Sequence, residues 1–187
     1  FISLASNTPG TLGEIYNNLH DYVVPLGWTP RKQDVSIGVS VDGHQVDLVP
    51  GRLQEGYKDW HSLYRHRANS WTQTNINLHV THVASSGRID EIRLVKLWRH
   101  LSCLDFPSFA LELSVIEALR YKRQDDLASN FSGALSWIAA NIQTARLVDP
   151  ANSNNIISDD LTPQEKKRIV DGAQYARSRP NYSDFVR

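Results

Sequence analysis

The pattern of hydrophobic and polar positions changes once along the chain, from alternating to helical. Residues 35–39 alternate between apolar and polar side chains, which predicts a half-buried strand. Asp42-Gly43 predicts a tight hairpin turn, because these two residues tolerate positive φ, and residues 45–49 predict the returning strand. From Trp71 onward the apolar residues recur at helical spacing.

Two helices have clear start signals. Thr11 and Glu14 form a capping-box pattern, as do Thr162 and Glu165, where Pro163 strengthens the signal. Pro25, Gly27 and Pro30 predict the end of the first helix. After the first helix, helices are predicted at residues 73–85, 88–103, 109–121, 126–145 and 163–178, the last of which begins at the second capping box. Polar loops are predicted at 52–69 and 148–160.

Strands that precede helices predict an α+β fold with two domains, at residues 1–85 and 86–187. The first four residues, Phe1 to Leu4, have the character of the tail of a strand. We therefore expect that an upstream segment has been lost before Phe1. The most natural explanation is a truncated or cleaved product, and a split protein and an inactive relative are the alternatives.

The composition argues against some classes of partner and of cellular location. The 20 Lys and Arg residues balance the 20 Asp and Glu residues, so bulk charge gives no reason to bind nucleic acid or a membrane. Cys103 is the single cysteine, which excludes an intrachain disulfide and favours a reducing, cytoplasmic location. The sequence has no apolar run long enough to cross a bilayer.

Two charged residues lie in apolar surroundings. Asp47 is close to the end of the apolar segment 46–50, where it either faces solvent or holds a metal. Lys96 falls between Ile89 and Ile92 on a helix that is apolar nearly all round. Its ammonium group either extends to solvent or points at an anion, and the first case is the more common.

Ser108 and Phe109 follow Phe106-Pro107 at the predicted start of a helix. The Ser108 hydroxyl, together with backbone N–H groups, suits either an anion or an ordinary N-cap. Phe109 suits either the core or stacking on a base. The histidines, among them His79, show no metal-ligand spacing and are interpreted as surface or packing residues.

The order of several segments resembles a known family. They are Val46-Asp47-Leu48-Val49-Pro50, Trp71-Thr72-Gln73-Thr74-Asn75 with His79, Glu91 to Arg99, Phe106-Pro107-Ser108-Phe109, and Val148-Asp149-Pro150-Ala151-Asn152. In this order they resemble the oligoadenylate synthases and the bacterial cyclic-oligonucleotide synthases (CD-NTases) of the nucleotidyltransferase superfamily. The similarity runs across nearly the whole chain.

The resemblance implies a polymerase-β-like nucleotidyltransferase core, incomplete here, followed by a helical substrate-binding domain. It implies that two Mg²⁺ ions, held by three carboxylates, promote attack of a ribose hydroxyl on a triphosphate. Asp47 would be the third carboxylate, both catalytic and metal-binding. Lys96 would neutralise the triphosphate, Ser108 would bind a phosphate oxygen, and Phe109 would stack on a base; Thr74 and Asn75 would lie near the nucleotide.

The family's Asp-x-Asp pair, which should precede Phe1, is absent from this sequence. We therefore expect the chain alone to be inactive and the intact protein to be an enzyme. It would join ATP or other nucleoside triphosphates, without a nucleic-acid template, into an oligonucleotide messenger that a downstream effector reads in antiviral defence. The alternatives are nucleotide transfer to RNA ends or to protein, and a non-catalytic nucleotide-binding module.

Overall fold

The computed structural model describes residues 1–179, and its backbone contacts divide the chain into two compact units, Phe1–Asn77 and Leu78–Arg187. The first unit combines one helix with two small sheets, and the second is built mainly from helices. The predicted α+β class is confirmed. The predicted division into domains 1–85 and 86–187 stays a prediction.

The larger sheet of the first unit has the strand order β1-β5-β6-β7. Its strands are β1 (Ile2–Leu4), β5 (Pro50–Leu53), β6 (His61–Arg65) and β7 (Ser70–Thr74). β1 runs parallel to β5, with Ile2 opposite Pro50, and the other pairs are antiparallel. The strand predicted for Phe1 to Leu4 is therefore present.

The smaller sheet has the order β2-β3-β4, with β2 at Arg31–Lys32, β3 at Ile37–Val41 and β4 at His44–Leu48. The predicted Asp42-Gly43 turn joins β3 to β4, and both residues have positive φ, 50° and 79°. Helix α1 (Leu12–Val23) begins at the predicted capping box, where the Thr11 hydroxyl accepts from the Glu14 N–H at 3.2 Å. Its inner face joins a core centred on Tyr16, Val23, Ile37 and Val39.

Two predictions for this region were wrong. Residues 52–69, predicted as a loop, contain β6 and the end of β5, and Gln73 and Thr74, predicted as the start of a helix, lie in β7. The reason is that β6 and β7 are rich in polar and aromatic side chains, so their inward and outward positions do not separate by polarity. Cross-strand pairing, such as Leu63 opposite Thr72, stabilises them instead.

The helices of the second unit agree with the predictions to within a few residues at each end. They are α2 (Ile76–Ala84, which begins at the end of the first unit), α3 (Ile89–Leu101), α4 (Ser108–Ala118), α5 (Leu127–Asn141) and α6 (Pro163–Arg177). α6 begins at its predicted capping box, in which the Thr162 hydroxyl accepts from the Glu165 N–H at 3.2 Å. The largest fully buried side chain is Trp98 of α3, within one continuous apolar core.

A buried arginine fixes the end of α4. The Arg88 guanidinium donates to the carbonyl oxygens of Leu119 at 2.7 Å, of Lys122, and of Arg123 at 3.2 Å, and it pairs with the buried Glu91 at 3.1 Å. Carbonyl groups that follow a helix end lack helical partners, and a charged donor satisfies them. Arg88 therefore holds the start of α3 against the segment after α4.

The predicted loop at 148–160 contains a short hairpin, which was not predicted. β8 (Val148–Asp149) pairs with β9 (Asn152–Ile156), and a 3₁₀ turn (Ile157–Asp160) follows. The Asn residues of β9 hide the strand, because Asn is depleted from strands in general. Within residues 1–179, no helix is long and apolar enough to span a membrane.

Candidate nucleotide-binding and catalytic residues

Asp47 lies on the exposed face of β4, directly opposite Gly38 of β3. Its Oδ1 accepts a hydrogen bond from the side-chain amide of Gln33 at 3.0 Å, and the Gln33 Oε1 accepts from Ser36 at 2.6 Å. Gly38 leaves the room for this contact, since a Cβ there would come within 2.7 Å of the Gln33 amide nitrogen. Asp47 is thus an oriented, solvent-accessible carboxylate, and not a buried one.

Thr74 and Asn75, the weaker candidates of this unit, lie where β7 leads into α2. Both side chains are buried. Thr74 is the last residue of β7, opposite His61, and therefore belongs to the larger sheet, whereas Asp47 belongs to the smaller one. Their role beside a nucleotide stays a prediction.

Lys96 lies on α3 and faces the first turns of α4. Its ammonium group forms an ion pair with Glu112, and its side chain is 35% exposed, against 16% for Glu112. Of the two alternatives for Lys96, the structure thus shows an anionic partner, one supplied by the protein itself. The ammonium group stays close enough to solvent to exchange that partner for another anion.

Ser108 is the first residue of α4, and its hydroxyl does not act as the N-cap, because the cap position is Pro107. The hydroxyl instead accepts a hydrogen bond from Arg99 at 3.0 Å, and the same Arg99 nitrogen donates to the Phe106 carbonyl at 2.6 Å. The ordinary-cap interpretation of Ser108 was therefore wrong. Lys96 and Arg99, one turn apart on α3, both face the start of α4.

Phe109 is half-buried and packs against the core of the second unit, while one side of its ring meets His79 of α2. The two ring centroids are 4.5 Å apart and the planes are tilted by 36°. The His79 Nε2 is 2.6 Å from the Oδ1 of Asp149 in the β8–β9 hairpin. The contact therefore ties together α2, α4 and the hairpin.

Asp149 is 3% exposed and fully engaged in hydrogen bonds. Besides His79, it accepts from the backbone N–H of Ala151 at 2.8 Å and from the amide of Asn155 at 3.0 Å. Burial raises the pKa of Asp149, but the hydrogen bonds from His79, Asn155 and Ala151 outweigh burial and hold the pKa below its usual value. Asp149 is therefore ionised, and the His79 Nε2–H is the donor.

The comparison with solved structures identifies the fold. The sequence matches no family model and no curated protein. Among solved structures, it is similar to CdnC of E. coli MS115-1, determined with ATP (TM-score 0.62, 21% identity, 97% of this chain and 72% of that chain) and in a complex with HORMA-deltaN (TM-score 0.61, 21% identity, 97% and 71%). It is also similar to the CD-NTase CdnG of Bradyrhizobium diazoefficiens in complex with GTP (TM-score 0.66, 13% identity, 98% and 73%). The chain has the CD-NTase fold.

Among residues 1–179, no group of three or more His, Cys, Asp or Glu side chains could hold a metal ion. Mg²⁺ demands six oxygen ligands and is usually held by one or two carboxylates together with substrate phosphates and water. Asp47 accepts the Gln33 hydrogen bond through Oδ1, so it can serve as one such ligand. One carboxylate alone does not make the two-metal site that the resemblance implies.

Four residues contact the candidate site residues in ways that the sequence analysis did not predict. They are Gln33, Arg99, Glu112 and Asp149. Arg99 could have been found, because it lies three residues after Lys96 and therefore on the same face of α3. The other three depend on contacts between elements distant in sequence, which spacing alone does not reveal.

Proposed function

We propose that the full-length protein is a nucleotidyltransferase that joins nucleoside triphosphates in the cytoplasm into a cyclic or linear oligonucleotide messenger used in antiviral defence and read by a downstream effector. The observation that carries this proposal is the CD-NTase fold across 97–98% of the chain, shared with structures determined with ATP and with GTP. No nucleic-acid template is required.

The second unit supplies the proposed triphosphate and base contacts. Lys96 and Arg99 place two cations beside the first two turns of α4, whose start, with the Ser108 hydroxyl and the backbone N–H groups of its first turn, favours anions. Phe109, next in the chain, offers an aromatic face to a base. Thr74 and Asn75, in the first unit, are proposed as further nucleotide-binding residues.

The first unit supplies Asp47, which is proposed as one ligand of a catalytic Mg²⁺. When bound, the metal would polarise the phosphate and lower the pKa of the attacking hydroxyl. Gln33 holds one oxygen of Asp47 and so fixes its orientation for this role. Asp47 is proposed as one of the three carboxylates that the resemblance implies, and residues 1–187 alone are proposed to be inactive.

The test is mass spectrometry of the products formed by the full-length protein with all four nucleoside triphosphates and Mg²⁺. We expect an oligonucleotide product from the wild type and none from Asp47→Asn. Asp42→Asn is the matched control: Asp42 lies in the same hairpin at φ 50°, which Asn also tolerates, so this variant should keep activity. Undiminished product from Asp47→Asn would overturn its role.

One observation favours a second candidate, a non-catalytic nucleotide-binding module: the lack of a complete acidic cluster among residues 1–179. This candidate predicts binding of ATP without turnover, and equal binding by the wild type and Asp47→Asn. Appearance of nucleotide label in RNA or in protein would instead indicate a different acceptor.

A further inference from the structure

His79 is the polar neighbour of the proposed base-stacking ring. It contacts Phe109 at a centroid distance of 4.5 Å, and its side chain is only 18% exposed. A residue that merely filled space beside a half-buried ring would be expected to be apolar, because burying polar groups costs free energy unless they are hydrogen-bonded. The presence of a histidine here therefore needs a reason.

The hydrogen bond to Asp149 provides that reason, since it fixes the rotation of the His79 ring. Asp149 also accepts hydrogen bonds from Ala151 and Asn155, which immobilise it. The imidazole of His79 is therefore held at one end by a buried, immobilised carboxylate. An aliphatic side chain at position 79 would touch Phe109 without a preferred angle. A held imidazole defines the 36° tilt between the two rings.

We propose that His79 is a positioning residue, which Asp149 holds in place so that it sets the plane of Phe109 and thereby the plane on which a nucleobase stacks. This inference rests on the proposed function, because it takes Phe109 as the base-stacking residue. The Asp149-Pro150-Ala151 turn of the β8–β9 hairpin would thus fix the orientation of Phe109 through His79.

The test compares binding of ATP and of inorganic tripolyphosphate, which lacks a base, to the full-length protein by calorimetry. In His79→Gln the amide can still donate to Asp149, but the aromatic contact with Phe109 is lost. We expect the Kd for ATP to rise about two- to tenfold, the range of one aromatic contact, while the Kd for tripolyphosphate stays unchanged. His82→Gln, one turn later in α2, is the matched control and should behave as the wild type.

The outcomes separate the inference from the proposed function. Unchanged ATP binding by His79→Gln, or equal weakening of ATP and tripolyphosphate, overturns the positioning role. Failure of the wild type to bind either ligand overturns the proposed function instead. If His79→Gln is unfolded at the assay temperature, Asp149→Asn decides by the same criterion, because it keeps the His79 ring and an acceptor oxygen but removes the charge that holds the imidazole.

Discussion

Two of the β-hairpins, β3–β4 and β8–β9, each present an aspartate, and the two aspartates have opposite surroundings. Asp47, in the β3–β4 hairpin, is exposed and accepts one side-chain hydrogen bond, from Gln33 at 3.0 Å. Asp149, in the β8–β9 hairpin, is 3% exposed and accepts from a side chain of α2, a backbone N–H and a neighbouring amide. The Asp47 carboxylate is oriented but accessible to solvent, whereas the Asp149 carboxylate is buried and accepts three hydrogen bonds from the protein.

This difference separates the roles that the two residues can have. A carboxylate whose hydrogen bonds are all internal cannot bind a metal or a substrate without losing them, so Asp149 is suited to hold the structure. An accessible carboxylate with a single neutral donor loses little when it changes partner, so Asp47 is suited to chemistry. We therefore expect the stability of the protein to depend on Asp149 and its activity on Asp47.

The largest expected effect is on stability, from Asp149→Ala. Removing the carboxylate leaves three donors without an acceptor, namely the buried Ala151 N–H and the part-buried His79 ring and Asn155 amide, so we expect a loss of about 3 kcal/mol in the free energy of unfolding. Asp47→Ala should change it by less than about 0.5 kcal/mol. Urea denaturation of the full-length protein, followed by far-ultraviolet circular dichroism, measures both values. Equal effects of the two variants would abolish the distinction between the hairpins.

Acid should remove the contribution of Asp149 to stability. Because its pKa is lower in the folded protein than in the unfolded chain, the contribution is fully present above about pH 4 and is lost as the pH falls through the folded-state pKa. The stability advantage of the wild type over Asp149→Asn should therefore be constant near neutral pH and shrink below about pH 4. An advantage that grows on acidification would contradict the ionised state of Asp149.

The two units also differ in how much of their fold could be predicted from the sequence. Helix periodicity and two capping boxes located α1 and the helices of the second unit, because each signal lies within a few consecutive residues. The strands β6, β7, β8 and β9 were missed, since their stability comes from pairing with segments elsewhere in the chain and their composition is polar.

The candidate site divides in the same way. The resemblance predicted functional roles for four residues, Asp47, Lys96, Ser108 and Phe109. It did not predict the contacts that these side chains make. Glu112 opposite Lys96 could not be foreseen, because the angle between two helices decides which of their residues meet. The hydroxyl of Ser108 was interpreted as a possible cap, whereas Arg99 determines its partner.

A smaller effect is expected on anion binding when Lys96 is released from Glu112. Glu112→Gln removes the internal anion that competes for the ammonium group, so the Kd for tripolyphosphate should fall by about threefold, an effect that salt weakens. Glu117→Gln on the same helix, which releases Arg120 instead, is the matched control and should leave the Kd unchanged. Calorimetry measures both. Weaker binding by Glu112→Gln would indicate that Lys96 does not face the triphosphate.

The smallest expected effect concerns the orientation of Asp47 and comes from Gly38→Ala. The new Cβ would lie 2.7 Å from the amide nitrogen of Gln33 and 3.4 Å from Asp47 Oδ1, so the flexible Gln33 side chain must move and its hydrogen bond to Asp47 is lost. Loss of one such bond is worth about 1 kcal/mol, so product formation should fall by about fivefold while the unfolding free energy changes little.

Gln33→Ala removes the same hydrogen bond without crowding β3 and should reproduce that loss of product in the same mass-spectrometric assay. If Gly38→Ala lowers activity and Gln33→Ala does not, crowding of the sheet rather than orientation of the carboxylate is the cause. If neither variant changes product formation, the solvent accessibility of Asp47 is sufficient for its function without the Gln33 hydrogen bond. Asp47 and Asp149 would then differ functionally only in their burial.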